Sequence, residues 1–273
     1  MPVAAGSVKD ALAAATDAIA AAGVDTPRLD AELLLAEATG LDRARLAAEP
    51  EAEVGAAAGR AFGEMVRRRV RREPVAYILG RKAFRNIELA VDRRALVPRP
   101  ETEALVEVAL ELRPLTVLDV GTGSGAVALA VADELPEANV TATDVSEDAL
   151  DLARANAERL GLADSVRLIP GSVPEDERFE LALANLPYVR DDEWAGLGPE
   201  ITRYEPREAL VAGPTGTEAI AEVVGRVVAD AVAVEVGAGQ ADDVVRLVRD
   251  AGFKATDVRD DLAGVDRIVV GKR

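Results

Sequence analysis

Two short runs in this chain of 273 residues hold side chains whose type and spacing could do chemistry. The first is Asp119-Val120-Gly121-Thr122-Gly123-Ser124-Gly125, entered from an apolar stretch, Thr116–Val120. Glycines so placed allow a tight turn and let a ligand approach the backbone closely. A helix beginning there presents free N–H groups at its N-terminus. Asp144 follows Gly121 by 23 residues, at the end of a second apolar stretch. A carboxylate in that place accepts hydrogen bonds from both ribose hydroxyls of an adenosine. Gly121, Gly123 and Ala126 also fit the loose dinucleotide pattern G-x-G-x-x-G/A. The third glycine is Gly125, however, and an acidic residue precedes the run. A pyrophosphate wants N–H donors and no nearby carboxylate, whereas a sulfonium amino acid brings an ammonium group and a positive sulfur. The spacing therefore favours S-adenosyl-L-methionine over a nicotinamide dinucleotide and leaves the second open.

The other run is Ala184-Asn185-Leu186-Pro187-Tyr188, again after an apolar stretch. Ligands of open α/β sheets sit at the carboxyl ends of strands. Asn185 carries an acceptor oxygen and a donor NH₂. Pro187 biases Leu186 towards an extended backbone, so the Leu186 carbonyl can point outward. Tyr188 adds a flat apolar face. Such a set suits a planar NH₂ group, a carboxamide or the exocyclic amine of a base. The competing reading is a turn after a strand, with Pro187 and Tyr188 as loop packing.

Composition narrows the chemistry. There is no histidine and no cysteine. That excludes a thiolate nucleophile, an imidazole base, a Ser-His-Asp triad, a disulfide and the usual kind of zinc site. Lys+Arg number 32 against 49 Asp+Glu, a net charge of −17, which argues against a protein that wraps duplex DNA. Aromatics are 3% of the chain, so the core must be built from Ala, Val and Leu. No apolar run reaches the roughly 18 residues of a membrane helix. Met1–Gly6 has no basic flank followed by an apolar core, so a secretory signal is not expected and the cytoplasm is the expected location.

The elements that must position these residues fall into two parts. Residues 1–80 read as a small helical bundle. Ser7 is a candidate N-cap with Asp10 three residues on, and Val8, Leu12, Ala15, Ile19 and Ala22 mark one helix face, stopped by Gly23. Thr26-Pro27 opens a second helix ending near Thr39-Gly40. A third is expected over Ala56–Arg72. It ends in Arg67, Arg68, Arg69, Arg71 and Arg72, either a solvated helix end favoured by the dipole or a contact for an acidic partner or RNA. Between Glu73 and Arg99 the pattern turns mixed, with Val75–Leu79 and Ile87–Val91 as short apolar stretches; residues 81–100 read as a hairpin linker, with Pro98-Arg99-Pro100 as the boundary. From 101 to 273 strands alternate with helices. Strands are expected at Thr116–Val120, Asn139–Thr143, Ser165–Ile169, Phe179–Ala184 and Ala231–Val236, with helices over Gly125–Leu135 and Glu147–Leu160. Alternation of this kind means a doubly wound, mostly parallel sheet. Phe253–Val258 and Arg267–Val270 read as an antiparallel pair closing its edge.

Asp-x-Gly-x-Gly-x-Gly followed by Asn-x-Pro-Tyr resembles the methyltransferases that act on planar nitrogen. More narrowly, the chain resembles the protein N(5)-glutamine methyltransferases of peptide chain release factors. The stretches Thr26–Leu35, Arg72–Gly80, Val97–Glu103, Arg203–Leu210 and Glu235–Gln240 carry that resemblance over nearly the whole length. It implies a seven-stranded Rossmann-like methyltransferase sheet with an antiparallel C-terminal strand, and a helical N-terminal domain that helps hold the partner. It implies S-adenosyl-L-methionine held by Gly121, Thr122, Gly123, Ser124, Gly125, Asp144, Val173 and Asn185. The acceptor would be the glutamine of a Gly-Gly-Gln loop in release factors, held by Asn185, Leu186, Pro187 and Tyr188, which are also the expected catalytic group. No metal is implied. Two departures stand out. Leu186 replaces the first proline of the usual Asn-Pro-Pro-Tyr, and Gly171-Ser172-Val173 replaces Gly-Asp-aromatic, removing a carboxylate near the adenine. Alternatives are a glutamine methyltransferase of a ribosomal protein, an adenine-N6 DNA methyltransferase and a nucleotide-binding module. The acidic charge argues against DNA as partner. No distinct apolar stripe stands out, and a monomer is expected.

Overall fold

The computed structural model describes residues 6–261 and 263–273. Met1–Ala5 of the run read above for a secretory signal lie outside the described residues. The chain forms two compact units, one through Gly80 and one from Arg81.

The first unit is helical: α1 (Val8–Ala21), α2 (Pro27–Thr39), α3 (Arg43–Ala48), α4 (Ala56–Val70) and α5 (Val75–Leu79). Ser7 caps α1 by accepting from the Asp10 N–H at 3.2 Å, and its hydroxyl donates to the Asp10 carboxylate at 2.8 Å. Val8, Leu12, Ala15 and Ile19 form the buried stripe of α1. They join Leu34, Leu35, Leu46, Phe62 and Ile78 in one apolar core. Thr26 does not cap α2; its hydroxyl donates to Asp30 Oδ1 at 2.9 Å. The short α3, capped by Asp42, was not legible in the periodicity. Val75–Leu79 is a helical turn and not half of a hairpin. Pro74 starts it and Gly80, left-handed at φ +70°, ends it, so the apolar run buries Tyr77 and Ile78 at helical spacing.

The arginine run at the end of α4 divides: Arg67 and Arg71 are exposed, whereas Arg69 is buried and Arg68 and Arg72 are half-buried. Arg69 is buried and its Nε donates to the equally buried Asp30 at 2.6 Å. Arg68 donates to Glu73 at 2.8 Å and to the carbonyls of Tyr77 and Ile78. Arg72 Nη1 donates to the carbonyls of Ala22 and Gly23. Arg67 pairs with Glu64 at 2.5 Å. The bonds of Arg68, Arg69 and Arg72 tie α4 to α5, α2 and the C-terminal end of α1.

The second unit opens with a hairpin, β1 (Arg81–Phe84) and β2 (Ile87–Ala90). Its elements then run α6 (Glu103–Leu112), β3 (Thr116–Val120), α7 (Ala126–Glu134), β4 (Asn139–Asp144), α8 (Glu147–Leu160), β5 (Val166–Pro170) and β6 (Phe179–Ala184). After them come β7 (Val189–Arg190), α9 (Pro199–Tyr204), β8 (Val211–Gly213), α10 (Glu218–Arg226), β9 (Ala229–Glu235), α11 (Ala241–Asp250), β10 (Ala255–Asp260) and β11 (Asp266–Lys272). Among the described residues seven strands make one sheet in the order β10-β11-β9-β6-β3-β4-β5. Neighbours from β9 to β5 are parallel, and β11 is antiparallel to both β9 and β10. This is the Rossmann-like sheet with an antiparallel C-terminal pair. Small apolar residues build its core. Leu118, Val120, Ala182, Ala184, Val232 and Val234 meet Ile220, Val223 and Val224 of α10 and Val244 and Val248 of α11. Phe253 precedes β10 and is fully buried in the same cluster, so the strand begins two residues later than the apolar pattern implies. Among the described residues no helix is long and apolar enough to cross a membrane.

Candidate active site

Strand order reverses between β3 and β6. From β3 the chain steps outward through β4 to β5, then returns to the other side of β3. A crevice opens outside the carboxyl ends of strands at such a switch point. Val120 of β3 is in register with Ala184 of β6. Gly121 and Asn185 therefore leave adjacent strands at the same level, and both line one cavity with Thr122, Gly123, Asp144 and Ser172.

The glycine turn after β3 is stitched to the protein. Gly121 and Thr122 donate their N–H groups to the Thr143 carbonyl, each at 2.9 Å. Gly123 N–H donates to Asp144 Oδ2 at 2.9 Å, and Gly125 N–H to the Thr122 carbonyl. These amides are committed to protein oxygens, so the turn does not offer them as a nest for a pyrophosphate. Two carboxylates beside the cavity point the same way. Asp119 is buried, and its Oδ2 accepts from the Thr122 hydroxyl at 2.7 Å and the Ala128 N–H at 3.2 Å. Burial pushes its pKa up to about 6. Burial also raises Asp144, against the opposing pull of the Ser146 and Gly123 N–H groups on its two oxygens. The residues present thus fit a cationic sulfonium amino acid carrying an adenosine better than a dinucleotide.

Gly121, Gly123 and Gly125 have φ of +74°, +56° and +85°. At Gly125 a Cβ would lie 2.8 Å from Leu129 Cδ1 and 3.3 Å from Ala153 Cβ. Gly125 does not line the cavity; it lets α7 and α8 close on the turn. Gly125→Ala is expected to cost about 1–3 kcal/mol from overpacking and left-handed strain. Urea unfolding checks that value, and isothermal titration should show weakened S-adenosylmethionine binding.

After β5 the structure separates two neighbours. Gly171 and Ser172 face the cavity, whereas Val173 is buried in the sheet core with Leu118 and Phe179. Val173, expected at the cofactor, therefore does not line the cavity, and Ser172 does. An apolar side chain beside Pro174 gains more from the core than from a polar rim.

At the acceptor end, Asn185 lines the cavity and its Nδ2 donates to Thr102 Oγ1 at 2.9 Å. Leu186 is buried, and its Cδ2 would stand 3.0 Å from a Cβ at Gly121. The residue that replaces proline is therefore not idle; its side chain closes the acceptor loop onto the donor turn. Pro187 also lines the cavity, but Tyr188 does not. Tyr188 is turned towards Gly237 and Glu235, and burial first, then the Glu235 charge, raises its phenol pKa. Its carbonyl accepts from Gln240 Nε2 at 2.9 Å, while Gln240 Oε1 accepts from the Gly237 N–H at 2.9 Å. Gln240 is thus a strap across the acceptor loop.

Several residues of the site were named in the sequence only as part of longer stretches. Glu205 is buried and receives the Val97 N–H at 3.1 Å and Arg99 Nη2 at 2.5 Å. It fixes Ala95–Arg99 as a wall of the cavity. Residues 81–100 are therefore an integral part of the second unit and not a separate linker. Asn156, fully buried, accepts from the Ala90 N–H and donates to the carbonyls of Ala90 and Ser124, fastening β2 to the glycine turn. No spacing rule marks a helical asparagine for that duty.

Glu235 ends β9, and its Oε2 is buried without a hydrogen-bond partner. Burial pushes its pKa up to about 7. Both buried acids, Glu235 and Asp119, are raised above their unfolded values, so each stabilises the fold most at low pH and loses that contribution as pH rises through the folded-state pKa. For Glu235 the gap is about 3 kcal/mol, falling away between about pH 4.5 and about pH 7. Glu235→Gln should flatten the pH dependence of urea stability across that window; an unchanged slope would refute the assignment.

Taken together, a glycine turn after the first parallel strand, a carboxylate after the second and an Asn-x-Pro-Tyr loop after the fourth define a Rossmann-like S-adenosylmethionine-dependent methyltransferase. Comparison with known proteins carries this further. Residues 10–80 match the PrmC N-terminal domain, and residues 117–204 match a methyltransferase domain. A release factor glutamine methyltransferase of Rhodopirellula baltica is 43% identical over 225 residues, 77% of this chain and 75% of that one. Its counterpart in Caulobacter vibrioides is 38% identical over 272 residues, 94% and 93% of the two chains. The chain belongs to the release factor glutamine methyltransferase family. In fold it is similar to the hMettl16 catalytic domain solved with a 3'UTR hairpin, with TM-score 0.53 and 12% identity over 67% of this chain and 74% of that one.

Proposed function

We propose that this enzyme transfers a methyl group to the side-chain amide nitrogen of the glutamine in the Gly-Gly-Gln loop of peptide chain release factors. The observation that carries the reading is the closeness of the two loops: a Cβ at Gly121 would lie 3.7 Å from the Asn185 carbonyl. A methyl donor on the glycine turn and a carboxamide on Asn185 would then be neighbours. Gly121, Thr122, Gly123, Asp144 and Ser172 would hold S-adenosylmethionine, which supplies an electrophilic methyl on sulfur.

An amide nitrogen is a poor nucleophile because its lone pair is delocalised into the carbonyl. The chain's task is positioning. Asn185 Oδ1 and the Leu186 carbonyl each accept one N–H of the glutamine amide, which fixes its rotation and aims the nitrogen at the methyl. The same oxygens stabilise the positive charge that grows on nitrogen. The nitrogen would gain the methyl as the methyl–sulfur bond breaks with its electron pair left on sulfur as a neutral thioether, and would then lose one proton to water, so no histidine is needed. The helical unit of residues 1–80 helps hold the release factor, and the enzyme works in the cytoplasm as a monomer. Incubation with labelled S-adenosylmethionine and purified release factor, followed by mass spectrometry, tests the reading. Methyl on the Gly-Gly-Gln glutamine supports it. Incorporation only into ribosomal proteins or DNA would refute it.

A further inference from the structure

The Asn185–Tyr188 loop joins β6 to β7 with no helix or strand of its own. Two contacts fix it from opposite sides. On the β3 side the Leu186 side chain lies against Gly121, where a Cβ would stand 3.0 Å from its Cδ2. That contact is apolar and has no preferred direction. On the β9 side stands Gln240, just ahead of α11. Its Nε2 donates to the Tyr188 carbonyl at 2.9 Å, with the Gly216 carbonyl farther off at 3.5 Å. Its Oε1 accepts from the Gly237 N–H at 2.9 Å. A carbonyl can only accept and a backbone N–H can only donate, so the Gln240 amide is held in one orientation.

The surroundings are cut to admit this amide. At Gly216, in the loop after β8, a Cβ would lie 2.6 Å from Gln240 Nε2 and 2.6 Å from the Tyr188 carbonyl oxygen. At Gly237, after β9, it would lie 2.8 Å from Gln240 Oε1 and 3.1 Å from Tyr188 Cδ2. Gly216 also has a left-handed φ of +80°, whereas Gly237 is not among the left-handed glycines. The missing side chain of Gly237 therefore answers to close approach alone. Gln240 holds the N-cap position of α11, where Ser, Thr, Asp or Asn would bond the first turn, and its side chain makes no such bond. It is engaged 52 positions away, on the acceptor loop. Local rules give way like this where a site has to be held. Tyr188 is gripped at its other backbone group as well, since the N–H groups of Tyr188 and Val189 donate to the Leu210 carbonyl at 3.1 and 2.8 Å.

We infer that Gln240, seated between Gly216 and Gly237, is a positioning residue that sets the acceptor loop, and with it Asn185 and the Leu186 carbonyl, against the methyl donor. The inference rests on the reading of Asn185 and Leu186 as ligands of the acceptor amide. Tyr188 then serves through its backbone: its carbonyl, three residues on from Asn185, is the handle by which the loop is held. Gln240 does not line the cavity, so it acts on the reaction only through that handle. A displacement of about 1 Å at reacting groups costs about 100-fold in rate. Loosening the loop shifts Asn185 and leaves the glycine turn in place, so turnover should suffer and cofactor binding should not.

The test compares Gln240→Met, Gln240→Glu and Asn185→Ala in the full chain. Gln240→Met keeps the length of the side chain and removes both hydrogen bonds. It should lower kcat by about 10- to 100-fold, with Kd for S-adenosylmethionine and KM for release factor each changed by less than about threefold. Gln240→Glu keeps an acceptor for the Gly237 N–H and loses the donor to Tyr188, so it should be as impaired as Gln240→Met. Amide hydrogen exchange should quicken at Tyr188 and Val189 in both variants and stay unchanged at Gly121 and Gly123. Equal quickening at both loops would mark a general loss of stability and overturn the positioning role. Wild-type kcat in either Gln240 variant, with Asn185→Ala inactive, would also overturn it and leave the acceptor reading standing. An active Asn185→Ala would overturn the acceptor reading and the inference with it. If the Gln240 variants do not fold, Gly237→Ala decides, because its Cβ would displace the Gln240 amide: lowered kcat with unchanged S-adenosylmethionine affinity supports the role, and wild-type kcat overturns it.

Discussion

Asn185→Ala is expected to lower methyl transfer to the release factor glutamine by at least about 10²–10³-fold, the cost of deleting one preorganised group that meets developing charge. The variant removes Oδ1, one of the two oxygens proposed to orient the amide, and leaves the glycine turn, Asp119 and Asp144 untouched. S-adenosylmethionine binding, measured by calorimetry, should therefore survive within about tenfold, a change below about 1.4 kcal/mol. The split between binding and turnover makes the result specific. A misfolded variant would lose both, and a structural loop residue would lose neither. Single-turnover assays with saturating cofactor isolate the step. Full activity in this variant would sink the acceptor assignment. Asn185→Asp is the sharper companion, because a carboxylate still accepts hydrogen bonds but cannot donate to Thr102 Oγ1.

Asp30→Ala carries the largest expected cost in stability. Arg69 and Asp30 are both buried in the helical unit and meet at 2.6 Å. Asp30→Ala takes the carboxylate from a buried guanidinium that still donates to the Glu73 carbonyl at 3.1 Å, and breaking a buried pair costs about 3–5 kcal/mol. Against a whole-domain stability of about 5–15 kcal/mol, a unit of 80 residues should be largely unfolded well before the sheet unit. Urea unfolding followed by circular dichroism should show an early helical transition absent from wild type. Replacing both residues with apolar side chains of similar volume, Asp30→Leu with Arg69→Met, should recover most of the loss. A single variant that unfolds with wild-type midpoint would show that Arg69 finds water or another acceptor.

The fold of the second unit was largely legible because its signals are local. Thr116–Val120 and Phe179–Ala184 form the strands, and Glu147–Leu160 the helix, expected of them, since short apolar runs bounded by turn residues and a long amphipathic run are distinguished within the chain itself. The chemistry of the two loops was legible for the same reason: glycines at fixed spacing and an Asn-x-Pro-Tyr run are readable without knowing what faces them. Val75–Leu79 was misread because five apolar residues satisfy strand and helix alike, and Pro74 and Gly80 decided for a helix. The partners of the arginine run were not legible, because charge in sequence says nothing of what faces it. Arg69 found Asp30 across 39 positions.

The alphabet alone settled which reactions are open. A chain without histidine or cysteine must rely on placement and on amide and carbonyl oxygens, and glycines and prolines already mark the two turns where that placement happens. Tertiary structure decided which atoms of those turns are available. It committed the glycine-turn amides to Thr143 and Asp144, moved Val173 into the core, pressed Leu186 onto Gly121 and joined Asn185 to Thr102. The difference is one of range. Backbone preferences act over a few residues and are written in the chain, whereas a hydrogen bond between positions 102 and 185 exists only after strands and helices have brought them together.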